Sequence, residues 1–334
     1  MAEVNLQGVT KRFGAQRGVE DVDLLVEDGS FVVLLGPTGA GKTTTLRLVA
    51  GLEKADAGTV SIGGREVNSE TPAQRDVAMV FQQYSLYPHM SVRDNLAFPL
   101  RSPIMNLAED AIARKVQDIA EVLHISHKLD NRATALSGGE MQRVSIGRAL
   151  VRDPSIYLMD EPLSSLDAKL RAELRVELKR IHAEMAATLL YVTHDQIEAM
   201  TMASQIGVLD EGRLVQFGTP RDIYENPHTA YVAARLGQPR INLLPADLFG
   251  AGAPATASQI GLRPEHIVLG SGQAATVVRV EHLGDQTRLH LKLAEHDIVT
   301  LVDAGTAASP GDTLQVSASN PLYFDAHGAR VATA

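Results

Sequence analysis

Unbroken apolar runs of strand length recur along the chain, and each stops at a turn-forming or polar signal. Phe31-Val-Val-Leu-Leu35 ends at Gly36-Pro37, Val77-Ala-Met-Val-Phe81 at Gln82, Ile156-Tyr-Leu-Met159 at Asp160-Glu161, and Leu189-Leu-Tyr-Val192 at Thr193-His194. Runs this short and this apolar suit parallel strands buried on both faces. Between them the apolar spacing becomes helical: Leu46, Val49 and Ala50 before a stop at Gly51; Ile112, Val116, Ile119 and Leu123; then Leu170, Leu174, Leu178, Ile181 and Met185. Asn106 and Glu109 stand at capping-box spacing ahead of the second helix. Gly58 to Gly64 followed by Glu66-Val67 predicts a hairpin turning at Gly63-Gly64. Strands alternating with helices predict a mostly parallel sheet with right-handed crossovers, interrupted by a helical insert over about 88–152 and continuing to Gly237.

Beyond Gly237 the period falls to two. Leu289, Leu291 and Leu293 mark one face, Leu314, Val316 and Ala318 another, with turns at Gly284-Asp285 and Gly311-Asp312 and a loose linker at Gly250–Pro254. The expected division is therefore 1–237, an α/β unit, and 238–334, a small all-β unit. No repeat of 20 to 50 residues is evident.

Composition narrows the chemistry. Cysteine is absent from the 334 residues, which excludes disulfides, thiolate zinc and a Cys nucleophile. A net charge of -9 and 4% aromatics, with no tryptophan, argue against nucleic acid and against a platform for stacking bases or sugars. The β unit repeats this, with six Lys plus Arg against nine Asp plus Glu. No apolar run approaches the roughly 18 residues of a membrane span. The opening Met1-Ala-Glu-Val-Asn-Leu6 lacks a basic patch followed by an apolar stretch, so a cytosolic protein is expected.

The candidate chemistry begins at the first apolar strand. Gly36-Pro37-Thr38-Gly39-Ala40-Gly41-Lys42-Thr43 fits G-x-x-x-x-G-K-[ST] between a buried strand and a helix, with Thr44 following. Backbone N–H groups of such a loop curl around a nucleotide's phosphates; Lys42 reaches the β and γ oxygens and Thr43 ligates Mg²⁺. Asp160 and Glu161 finish another apolar strand on opposite sides of its pleat. In that setting Asp160 serves the metal and Glu161 polarises the water that attacks the γ-phosphate.

Leu136-Ser137-Gly138-Gly139-Glu140-Met141-Gln142-Arg143 resembles the signature of ABC-type ATPases. The resemblance implies a RecA-like P-loop core with an antiparallel β lobe and an inserted helical subdomain, and an OB-like regulatory domain behind it. It assigns Phe13 to adenine stacking, Gln82 to sensing Mg²⁺ and the attacking water, His194 to the γ-phosphate, and Asp167 of Ser164-Ser-Leu-Asp167 to communication across a dimer. Ser137, Gly138, Gly139 and Glu140 of one subunit would close over the ATP held by its twin, giving a head-to-tail homodimer with two ATP molecules. Glu140 stands where the family usually has Gln; it adds charge near the nucleotide while still able to accept from ribose hydroxyls.

Finer matches narrow the family further. Arg75 to Gln82, then Tyr84 to Met90, then Gly218-Thr-Pro220, Gly261-Leu-Arg-Pro-Glu265 and Glu281-His-Leu-Gly284 are similar to the ATPase subunits of carbohydrate importers. The implied partners are two transmembrane permease subunits docked near Tyr84–Met90 and, indirectly, a periplasmic solute-binding protein, at the cytoplasmic face of the inner membrane. Related importers carry polyamines, iron, sulfate or molybdate. ABC ATPases of DNA repair or translation are the alternative class, disfavoured by a single copy of each motif and no sustained heptads.

Overall fold

The computed structural model of the protein describes residues 2–103, 105–249 and 252–332. They form two compact units, Met1–Pro220 and Arg221–Ala334.

In the first unit, β1 (Val4–Phe13), β2 (Gln16–Val26), β4 (Ala57–Ile62) and β5 (Arg65–Glu66) make an antiparallel sheet in the order β2-β1-β4-β5. The β4–β5 turn is the expected Gly63-Gly64 pair, both at positive φ. The second sheet joins β3 (Phe31–Leu35), β6 (Val77–Val80), β7 (Ile156–Asp160), β8 (Leu189–Thr193), β9 (Gln205–Asp210) and β10 (Arg213–Gly218) in the order β10-β9-β3-β8-β7-β6. All its pairings are parallel except the edge hairpin β9–β10. Strands β3, β7 and β8 are buried at every position, as their continuous apolar runs require. Phe81, expected to finish β6, lies past its end and is 37% exposed.

Helix α1 (Lys42–Ala50) packs between the sheets through Leu46, Leu48 and Val49. Gly51 caps it at φ 75°, and the buried Arg75 donates to Leu48 O at 2.6 Å and Val49 O at 3.0 Å, satisfying carbonyls that a helix end leaves over. The helical insert holds α2 (Val92–Ala97), α3 (Glu109–Val122) and α4 (Gly138–Leu150). The capping box expected of Asn106 and Glu109 does not form. Ala108 is the N-cap of α3, Asn106 takes a left-handed turn at φ 46°, and the Glu109 carboxylate is held by Arg101 at 3.2 and 3.3 Å. Helix α5 (Ala168–Met185) buries Leu174, Leu178 and Ile181, and α6 (Gln196–Met202) follows β8.

The second unit contains α8 (Ala230–Arg235) and all but the first residue of α7 (Pro220–Glu225), which the division at 237 assigns to the α/β part. Arg263 explains why they group with the strands: from its buried position it donates to Tyr224 O, Ala233 O and Leu236 O at these helices' ends. Two four-stranded antiparallel sheets follow. One orders β11 (Asn242–Pro245), β12 (Gln259–Leu262), β17 (Leu322–Phe324) and β18 (Arg330–Val331). The other runs β15 (His296–Asp303), β14 (Gln286–Leu293), β13 (Ile267–His282), β16 (Thr313–Ala318). Along β14 every second residue is buried, Leu289, Leu291 and Leu293 among them. Of the expected linker Gly250–Pro254, positions 250 and 251 lie outside the described residues.

Candidate functional site

The loop Gly36–Gly41 joins β3 to α1, so the strand fixes its origin and the helix fixes the direction of its N–H groups. Gly41 has φ 99°, and a Cβ there would stand 2.6 Å from Gly18 O; the backbone can turn only without a side chain. Lys42, 5% exposed, donates to Gly36 O at 2.9 Å and Pro37 O at 3.0 Å. The ammonium thus closes the loop on itself, in a place where phosphate oxygens would be stronger acceptors. Burial holds the Lys42 pKa below its ordinary value, opposed by the carboxylates of Glu161 and Asp160.

Thr43 donates its hydroxyl to Asp160 Oδ1 at 2.9 Å, joining the start of α1 to the end of β7. Burial raises the Asp160 pKa, against the pull of that hydrogen bond. A hydroxyl and a carboxylate so placed are the oxygen ligands that Mg²⁺ takes beside phosphate oxygens and water. Among the described residues no cluster of three or more His, Asp or Glu could hold a cation alone.

Glu161 adopts φ 44°, a conformation that costs a non-glycine residue energy and persists where surrounding contacts enforce it. Here its N–H donates to Val192 O at 3.0 Å, and its carbonyl accepts from Ser164 N at 3.2 Å and Ser164 Oγ at 2.9 Å. Its carboxylate reaches Lys42 Nζ at 3.7 Å on one side and His194 Nδ1 at 3.0 Å on the other. His194 follows β8, the strand beside β7, so neighbouring strand ends bring together residues far apart in sequence.

A cavity of about 320 Å³ opens over this constellation, lined by Phe13, Thr38, Gly39, Gly41, Lys42, Thr43, Thr44, Gln82 and Glu161. All belong to the sites expected from the sequence. Gly36, Pro37 and Ala40 form the loop's base beneath; Asp160 and His194 join through Thr43 and Glu161. The sequence reading missed Gln16, Arg17 and Gly18, which also line the cavity. The available signal was a lone glycine inside a strand pattern, a mark of close approach. A Cβ at Gly18 would meet Phe13 Cε2 at 2.8 Å and Thr44 Cγ2 at 3.1 Å.

Two expected elements stand apart. Ser137, Gly138, Gly139 and Glu140 do not line the cavity: Ser137 caps α4 in a capping box with Glu140. Asp167 caps α5, accepting from Leu170 N at 3.0 Å.

A phosphate loop after β3, an acidic pair at the end of β7 and His194 at the end of the intervening β8 meet at one cavity, the arrangement of a nucleotide-hydrolysing cassette. Comparison with known proteins agrees: the family model described as ABC transporter matches residues 19–164, and the TOBE domain model matches 260–331. The chain is 44% identical to the sn-glycerol-3-phosphate import ATP-binding protein of Ruegeria pomeroyi, over 90% of both chains. It is 42% identical to the lactose transport ATP-binding protein of Rhizobium radiobacter, over 99% of this chain and all of the other. Among solved structures, a dimeric bacterial ABC transporter cassette, MJ0796, is similar at TM-score 0.60 and 28% identity, covering 65% of this chain and 99% of that one. The chain belongs to the ATP-binding ATPase subunits of ABC transporters.

Proposed function

We propose that this ATPase works as a head-to-tail homodimer that energises import of a carbohydrate or a glycerol-phosphate-like solute through two membrane permease subunits. The solute class follows the relatives' names, which are those of glycerol-phosphate and lactose systems. Dimerisation is supported by the separation of the Ser137–Glu140 segment from the cavity that holds the phosphate loop, and by the dimeric cassette among the similar structures. No helix among the described residues is long and apolar enough to cross a membrane, so attachment to the inner membrane's cytoplasmic face would come through the permease. An open groove lined by Tyr84, Leu86, Pro88, Ala133 and Met141 would receive it.

The observation that carries the chemistry is the Glu161 carboxylate held between Lys42 and His194. On ATP binding Lys42 exchanges the Gly36 and Pro37 carbonyls for β and γ oxygens, and Phe13 covers the adenine. Thr43 and Asp160, with Gln82, would hold Mg²⁺, which neutralises charge developing on the phosphates. Glu161 accepts a proton from the attacking water, while His194 keeps that carboxylate oriented and faces the γ-phosphate. The test is Glu161→Gln: ATP binding is retained, and turnover drops by about 10²-fold or more. Undiminished turnover would remove Glu161 as the base. The solute is tested separately, by thermal shift of any solute-binding protein found encoded next to this chain against a panel of sugars, polyols and their phosphates.

A further inference from the structure

Glu140 is the residue at which the signature departs from its usual Gln, and its carboxylate is fully engaged within its own chain. Oε2 accepts from Ser137 N–H at 2.8 Å and from Ser137 Oγ–H at 3.0 Å, and Oε1 pairs with Lys128 Nζ at 3.1 Å. Ser137 Oγ in turn accepts from Glu140 N–H at 3.4 Å. The Ser137 N–H, and after it Lys128, hold the Glu140 pKa below the ordinary carboxylate value, so the group stays charged at neutral pH.

Two consequences follow. The Ser137 hydroxyl proton is committed to a carboxylate, a stronger acceptor than the amide oxygen of Gln. A negative charge also stands at a helix start that would otherwise favour an approaching anion. Lys128 offsets that charge from outside the helix.

We infer that Glu140, latched by Lys128, is a positioning residue that sets the ATP concentration at which two subunits close, by holding Ser137 in a self-capped form that the γ-phosphate must displace. The inference rests on the proposed action of Ser137 across the dimer. It makes the two members of one ion pair act with opposite sign. Removing the charge, E140Q, keeps an acceptor for Ser137 N–H and frees the hydroxyl, so closure comes at lower ATP. Removing the cation, K128M, leaves the carboxylate uncompensated, so closure needs more. A merely structural ion pair would give losses of the same sign in both.

The experiment titrates ATP into the full-length chain carrying E161Q and reads the dimer fraction by sedimentation velocity. E140Q is expected to lower the half-saturating ATP concentration about three- to tenfold, and K128M to raise it by a similar factor. K128M added to E140Q should raise the requirement by less than K128M does alone. With Glu161 intact, the same shifts, opposite in sign for the two variants, should appear in KM. Thermal melts and binding of a fluorescent ATP analogue to the monomer, where the phosphate loop is untouched, verify the fold of each variant. Shifts of one sign, or none, in a chain that still dimerises would overturn the inference alone. Failure of the E161Q chain to dimerise with ATP would overturn the dimer reading, and the inference with it.

Discussion

The cassette unit and the β unit both bury charge, but they satisfy it in different ways. In the β unit, Arg263 lies stacked on Tyr224 at 3.8 Å with Nη1 and Nη2 on backbone carbonyls. Asn242 likewise bridges Leu262 O and the Val299 backbone. Helix ends and strands thereby gain partners for groups they would otherwise leave over. In the cassette, Lys42, Asp160 and Glu161 gather at one rim, each leaning on a contact that a phosphate, a cation or a water could replace. The lesson is that a buried charge alone does not mark a site. Converging charges on an open cavity, one of them on a strained backbone, do.

The strongest way to break this contrast is to remove a charge on each side. Lys42→Ala should lower ATP hydrolysis about 10³-fold or more, because the charge that meets the transferring phosphate is lost. A steady-state ATPase assay with a thermal melt would show activity gone while the fold persists. Arg263→Ala should do the reverse, costing about 3 kcal/mol of stability through its lost carbonyl bonds and stacking. Denaturant unfolding would register that loss, with ATP affinity unchanged. A fall in affinity equal to the fall in stability would erase the distinction between the units.

Gly41→Ala sharpens the contrast on a smaller scale. The added methyl meets Gly18 O across the cavity in a left-handed turn, which should cost about 1–3 kcal/mol and weaken nucleotide binding with it. Denaturant unfolding would measure the first effect and calorimetric titration of ATP the second. The smallest expected effect concerns Glu198, buried in the cassette and accepting from Tyr191 OH at 2.8 Å. Burial raises its pKa from 4.5. Its stabilising contribution is therefore complete below pH 4.5 and lost as pH climbs through the folded-state value. Melting curves across the range pH 5–8 should show Glu198→Gln less sensitive to rising pH than the parent chain.

The parts legible in the sequence were the local ones. β3, its loop and α1 are set by a contiguous pattern, apolar run, glycines, then helical spacing, and the structure follows it residue by residue. The alternation of β14 was equally open, because a face repeats every two positions. The capping box was misread because α3 takes Ala108 as its N-cap, so Glu109 falls at the first helical position rather than the third, and its carboxylate goes to Arg101 instead. Gln16 and Arg17 were invisible for a similar reason: they join the cavity through the β1–β2 hairpin, and nothing in their own spacing records what lies across from it. The pinning of Glu161 by Ser164 depends on a tight turn after β7 whose backbone geometry no residue pattern announces.

The central claim is that the phosphate loop of one subunit is completed by the Ser137 helix of another. The direct test mixes two inactive chains, one carrying Lys42→Ala and the other Ser137→Arg. If the site is shared, the mixed dimer contains one intact pair, the second chain's loop facing the first chain's signature, and hydrolysis reappears. If each subunit builds its own site, both chains remain defective and the mixture stays as inactive as its components, which would contradict the account.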